Sequence, residues 1–222
     1  PILVTFLFFL SNNSCIVNFE RYENTNPSEI VKGILYLQPP DFMLVSVYSP
    51  VDQIMKFTGK HLEIFYPKTK QAFQIESKIP LSLPFASVLF LMNDKNFGLE
   101  KFGYKLENTL IRGDTLISNW IPSEKSKDFL GKFVATEVRG ILINTKSFHK
   151  DGKLNTITNF ENHVKIGRTF IPLSVKTQEF LKEYIREEII TFKDPKYSVN
   201  FPEWVTNFKI PTIVWVIAFI AL

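Results

Sequence analysis

Short apolar runs broken by turn residues fill the first third of the chain. Ile30 to Leu37 and Phe42 to Tyr48 are separated by Pro39, Pro40 and Asp41, and proline does not sit in a central ladder, so the pattern predicts two strands joined by a turn. Gln53 to Phe57 runs into Gly59. His61 to Tyr66 then alternates apolar and polar positions, and after Pro67-Lys68-Thr69 the segment Gln71 to Glu76 places Phe73 and Ile75 on one face. Four consecutive short connections predict a meander of antiparallel neighbours.

After Pro84 the period changes. Phe85, Val88, Leu89 and Met92 fall at i, i+3, i+4 and i+7, the spacing of a helix stripe, and Asn93-Asp94 ends it. This predicts one short amphipathic helix in a β protein. Strand character returns at Thr115 to Trp120, at Lys132 to Ile143 and, past the Asp151-Gly152 turn, at Leu154 to Phe160. His163 to Ile166 and Thr169 to Val175 are shorter candidates. Glu179 to Phe192 is ambiguous: Phe180, Leu181, Tyr184 and Ile185 have helical spacing, whereas Glu188, Ile190 and Phe192 alternate. There is no internal repeat or low-complexity linker, which favours a single domain.

The ends differ from the middle. Pro1 to Leu10 is an uninterrupted apolar run followed by Ser11, Asn12, Asn13 and Ser14, so residues 1–14 read as the remnant of a secretory signal. Cys15 follows it and is a candidate lipidation site, although Asn12-Asn13-Ser14 departs from the usual lipobox. Residues 15–209 form the expected domain. Residues 210–222 end in IVWVIAFIAL, either a closing strand or a truncated membrane anchor.

Composition adds one unusual feature. The 222 residues include 22 Phe against 3 Trp and 7 Tyr, so most of the aromatic surface lacks a polar handle and suits an oily interior; compositional drift that also enriches Lys, Ile and Asn accounts for the count equally well. The net charge of +4 is spread along the chain, without the clustered basic face that nucleic-acid binding needs. A single cysteine rules out an internal disulfide.

The chemistry-bearing residues argue against an enzyme. His61, His149 and His163 lie far apart without metal-ligand spacing, and neither G-x-S-x-G nor a phosphate-loop motif occurs. The acidic pair Glu187-Glu188 reads as a solvated face. No catalytic residue, metal site or cofactor is expected. Converging groups far apart in sequence remain the only route to an active site.

Gly33 to Pro40 (GILYLQPP), Asp41-Phe42, Tyr48-Ser49-Pro50, Ile54 to Lys60 (IMKFTGK), Leu62 to Pro67 (LEIFYP) and Lys70-Gln71 together resemble the LolA-like periplasmic carriers of outer-membrane lipoproteins. Asn200 to Pro211 (NFPEWVTNFKIP) is similar to that family's closing pattern, and Pro84 to Met92 falls where the family has its lid helix.

The resemblance implies a mainly β (α+β) fold, an incomplete, strongly curved antiparallel β-barrel with a short helical lid, LolA/LolB-like. It implies a carrier that takes a lipoprotein from an inner-membrane transporter and hands it to an outer-membrane acceptor, sheltering its acyl chains on the way. A membrane-tethered acceptor or an envelope sensor of the same fold is the alternative. Spacing and resemblance together nominate Leu35, Leu37, Phe42, Leu44, Met55, Phe57, Leu62, Ile64 and Phe73 as lipid-binding residues, with Phe85, Val88, Leu89 and Met92 facing them from the lid. One departure stands out. The family keeps an Arg before its first turn proline, tying lid to barrel, and the matching residue here is Pro39.

Overall fold

The structure, a computed structural model, describes residues 14–24, 28–38, 42–58, 61–77, 97, 99–100, 102–166, 169–211 and 215–221. The segments containing Pro39 and the proposed lid helix, with Phe85, Val88, Leu89 and Met92, lie outside the described residues.

The first meander is β1 (Cys15–Glu23), β2 (Glu29–Gln38), β3 (Phe42–Ser49), β4 (Gln53–Thr58), β5 (His61–Tyr66) and β6 (Gln71–Ser77). The second is β7 (Tyr104–Arg112), β8 (Thr115–Pro122), β9 (Phe133–Val138), β10 (Ile141–Phe148), β11 (Leu154–Ile166), β12 (Thr169–Phe180) and β13 (Ile185–Tyr197). Antiparallel pairing of β1 with β13 joins them edge to edge. A single helical turn, α1 (Glu203–Thr206), precedes β14 (Trp215–Ala221), which pairs parallel with β6. The result is one 14-stranded sheet in the order β14-β6-β5-β4-β3-β2-β1-β13-β12-β11-β10-β9-β8-β7. Its two edges do not meet, so the curved sheet is an incomplete barrel.

Several sequence expectations change at this point. The predicted strand Lys132 to Ile143 is a hairpin, because Arg139 and Gly140 adopt φ of 53° and 74° and turn the chain between β9 and β10 in two residues. His163 to Ile166 continues β11, and the ambiguous segment Glu179 to Phe192 is strand on both sides of a turn at residues 181–184. Its Ile190 and Phe192 are buried and alternate with less buried neighbours, which is strand period. Strands β1 and β7 were not anticipated.

In the first meander β3 is buried on both faces. Directly paired residues share a face, so the registers define two cross-strand rows: Val17, Leu35, Val45, Met55, Ile64, Phe73, and beside it Cys15, Leu37, Met43, Phe57, Leu62, Ile75. As far as Met55 and Leu62 these rows join a core cluster that continues through Phe192, Ile190, Val175, Phe160 and Leu142 to Ala135, and this is the inner face of the curl. Gly33 sits among them because the Phe19 ring lies over it: a Cβ there would stand 2.6 Å from the Ser46 carbonyl oxygen and 2.7 Å from the ring.

The outer face is closed by the segment that leads to β14. Phe201, Val205 and Phe208 pack on Tyr36, Leu44, Ile34, Phe42 and Ile54, and Trp204 meets Tyr36 edge-on at 5.6 Å. The Lys56 ammonium donates to the Phe208 carbonyl at 2.9 Å, fixing the strap across β4.

Candidate functional site

The nine nominated strand residues divide between the two faces. Leu35, Leu37, Met55, Phe57, Leu62, Ile64 and Phe73 share the inner face and fall in the two rows. Phe42 and Leu44 do not. They point outward under the strap, Leu44 fully buried against Tyr36 and Val205 and the Phe42 ring tilted against Phe201 at 5.9 Å. The physical reason is register: Leu37 pairs with Met43 and Leu35 with Val45, so β3 turns its odd-numbered positions inward. Sequence reasoning missed Met43, Val45, Val17 and Phe19; alternation was an available signal for Val17 and Phe19 in β1, but not for Met43 and Val45, whose neighbours Phe42 and Leu44 are equally apolar.

Burial along the inner rows falls towards the β6 side. Val17, Leu35 and Val45 are sealed, whereas Met55, Ile64 and Phe73 are only half-buried, as are Leu62 and Ile75 in the second row. Apolar surface therefore remains reachable on β4 to β6. A half-exposed apolar concavity beside a sealed core is able to take an apolar guest without unfolding the sheet.

At the other side the inner face turns polar. Arg21 bonds to Glu23 and Glu188, and Arg186 bonds to Glu179 and lies 3.7 Å from Glu23. Glu188 is thus held in an ion-pair network, which corrects the reading of Glu187-Glu188 as solvated; Glu187 stays exposed and accepts from Gln178 at 2.8 Å. The hydroxyls of Thr158 and Thr177 bond across β11 and β12 at 3.1 Å. Desolvation raises the Glu137 carboxyl above its ordinary range.

Cys15 opens β1 with its thiol buried between Leu37 and Tyr197. Burial pushes the thiol up to about 11, against a smaller lowering from the Tyr197 hydrogen bond, and the same burial raises the Tyr197 phenol. A thiol raised from 9.0 to about 11 holds roughly ninetyfold less thiolate at pH 8. Cys15 in the folded protein is expected to react with a disulfide reagent at least that much more slowly than after denaturation, as a stopped-flow thiol assay would show.

The histidines stay apart. His163 Nε2 lies 3.0 Å from the Leu142 carbonyl oxygen, and desolvation lowers its pKa. Among the described residues no group of three or more His, Cys, Asp or Glu could hold a metal, and no helix is long and apolar enough to cross a membrane.

A single open, curled sheet, antiparallel apart from the β14–β6 pair, with an apolar inner face and a strap outside is the LolA-like incomplete barrel. Solved structures carry the likeness across most of the chain. A domain from Vibrio parahaemolyticus described as an outer membrane lipoprotein-sorting protein superposes with a TM-score of 0.64 at 14% identity, covering 88% of this chain and 89% of that one. A LolA superfamily protein from Nitrosomonas europaea gives 0.58 at 15% identity over 86% of this chain and 89% of its own. A DUF1329 family protein from Desulfovibrio piger gives 0.62 at 13% identity, covering 89% and 90%. No family model matches the sequence, and no curated protein does. At such identities the likeness defines the fold.

Proposed function

We propose that this protein is a periplasmic carrier that shelters the acyl chains of a lipoprotein or lipid on the inner face of its sheet for transfer towards the outer membrane. The observation that carries this reading is the continuous pair of apolar rows that starts in a sealed core and ends half-exposed at Ile64 and Phe73. Acyl chains cost about 0.8 kcal/mol per methylene exposed to water, so a carrier must offer them apolar surface that is not already consumed by its own core. Leu35, Leu37 and Phe57 form the floor of the hollow and Met55, Leu62, Ile64 and Phe73 its accessible wall. Phe85, Val88, Leu89 and Met92 would close it as a lid.

The likeness to a domain described as lipoprotein-sorting supports the cargo class. By that analogy the partners are an inner-membrane transporter that loads the cargo and an outer-membrane acceptor that receives it. The tethered-acceptor alternative draws no support from Cys15, whose thiol is enclosed by the barrel's own core.

Displacement of an environment-sensitive apolar dye tests the reading. The protein is expected to bind the dye saturably and release it to fatty acids or diacylated lipopeptides. Failure of every acyl compound to compete would contradict it.

A further inference from the structure

Because neighbouring strands alternate in direction, the turns divide into two rims. One rim holds the facing ends of β1 and β2 at residues 24 and 28, the connections at residues 50–52, 67–70, 123–132, 149–153 and 181–184, and the entry to β7. The other holds the hairpin turns at residues 113–114 and 139–140, where Arg139 Nε donates to Asp114 at 2.8 Å.

Exposed apolar side chains gather on the first rim. Phe129 is 84% exposed, Tyr184 61%, Val51 54% and Ile30 53%, and Leu181 and Ile185 are exposed beside Tyr184. Phe129, Val51 and Tyr184 project from three separate connections and Ile30 from the adjoining end of β2, so they trace an arc of tips along the sheet's edge rather than one groove. Among the described residues the opposite rim exposes Ile111 and Leu110, both on the edge strand β7.

Lysines are interleaved with these tips. Lys70, Lys125, Lys150 and Lys182 make no ion pair among the described residues, while the rim's Asp52, Glu124 and Asp151 are each held by a lysine. Asp128 and Glu183 are the remaining acids in the turns at residues 123–132 and 181–184 that lack a salt bridge among the described residues. Aromatic and aliphatic tips alternating with lysines match a lipid interface, where rings settle at headgroup depth and lysine stems follow the apolar side chains while their ammonium groups meet lipid phosphates. A bilayer is also a broad, shallow target that several loop tips are able to reach together.

We infer that this rim docks the protein on an anionic lipid bilayer. The docking does not depend on the carrier reading, since none of the rim tips belongs to the two inner rows.

Labelling decides it. Because Cys15 is buried, cysteines introduced as Phe129→Cys, Tyr184→Cys or, on the opposite rim, Arg139→Cys take an environment-sensitive fluorophore selectively in the full-length folded protein. With vesicles of phosphatidylcholine and phosphatidylglycerol, probes at 129 and 184 are expected to shift to the blue and be quenched by bilayer-embedded spin labels, while the probe at 139 stays unchanged. Pure phosphatidylcholine is expected to give a much weaker response. The double variant Phe129→Ser/Tyr184→Ser is expected to bind the anionic vesicles roughly tenfold more weakly and to keep its apolar-dye uptake.

Vesicle association without a shift at 129 and 184 would assign the contact to another part of the chain and overturn the inference. So would equal shifts at both rims, equal binding to neutral vesicles, or no vesicle binding, the last leaving the rim as a protein contact.

Discussion

Phe73→Glu is expected to weaken uptake of apolar dye and acyl ligands by roughly a hundredfold while leaving the sheet folded. Phe73 is half-buried and pairs directly with Ile64 at the accessible end of the inner rows. Replacing its ring removes apolar contact worth about 1.5–3 kcal/mol and puts a carboxylate where a guest would have to desolvate it. Together these approach the 2.8 kcal/mol that corresponds to about a hundredfold in affinity. Solvent already reaches this position, so the unliganded fold tolerates the charge; far-ultraviolet circular dichroism and a urea melt verify that. Tyr66, which meets the Phe73 ring edge-on at 6.0 Å and accepts from Gln53 at 2.8 Å, keeps its own anchor in the variant.

Leu44→Ala should do the reverse. Leu44 is 0% exposed on the outer face, between Tyr36 and the strap residue Val205. Its truncation opens a cavity in a closely packed site, at a cost of about 2–5 kcal/mol in unfolding free energy. Acyl affinity of the molecules that remain folded should not change, because the site is separated from the inner rows by the thickness of the sheet. A urea melt and a dye titration below the transition separate the two effects. Loss of affinity with unchanged stability would place Leu44 inside the hollow and contradict the register.

Phe73 and Leu44 also show what was legible in the sequence. The meander from β2 to β6 was readable because its proline and glycine turns are local and β4 to β6 alternate clearly. The face of β3 was not: FMLVSVYS is apolar at Phe42 and Leu44 as well as at Met43 and Val45, since both faces of that strand are buried. The cover on the outer face comes from Phe201, Val205 and Phe208, more than 150 residues away, and strand period carries no information about it. Strand β1 was masked by the apolar run before it, although Cys15, Val17 and Phe19 alternate. Strand β7 is an edge with both faces open, so Leu106, Leu110 and Ile111 give no period-2 signal.

The β12–β13 hairpin illustrates the remaining limit. Glu188 looked solvated because its neighbours in sequence are charged, yet pairing of β1 with β13 brings Arg21 to it. That pairing closes the inner face between the two meanders and is wholly non-local. The resemblance in Gly33 to Gln71 anticipated the curved barrel, and the cross-strand rows then identified which of the nominated side chains share its interior.

Native mass spectrometry of the full-length protein incubated with a diacylated lipopeptide tests the shelter most directly. The two apolar rows predict a folded charge-state envelope carrying one lipopeptide per chain, lost or strongly reduced in Phe73→Glu and retained in Phe129→Ser. No lipid-bearing species in the parent protein, or an adduct equally abundant in Phe73→Glu, would contradict an acyl-binding inner face.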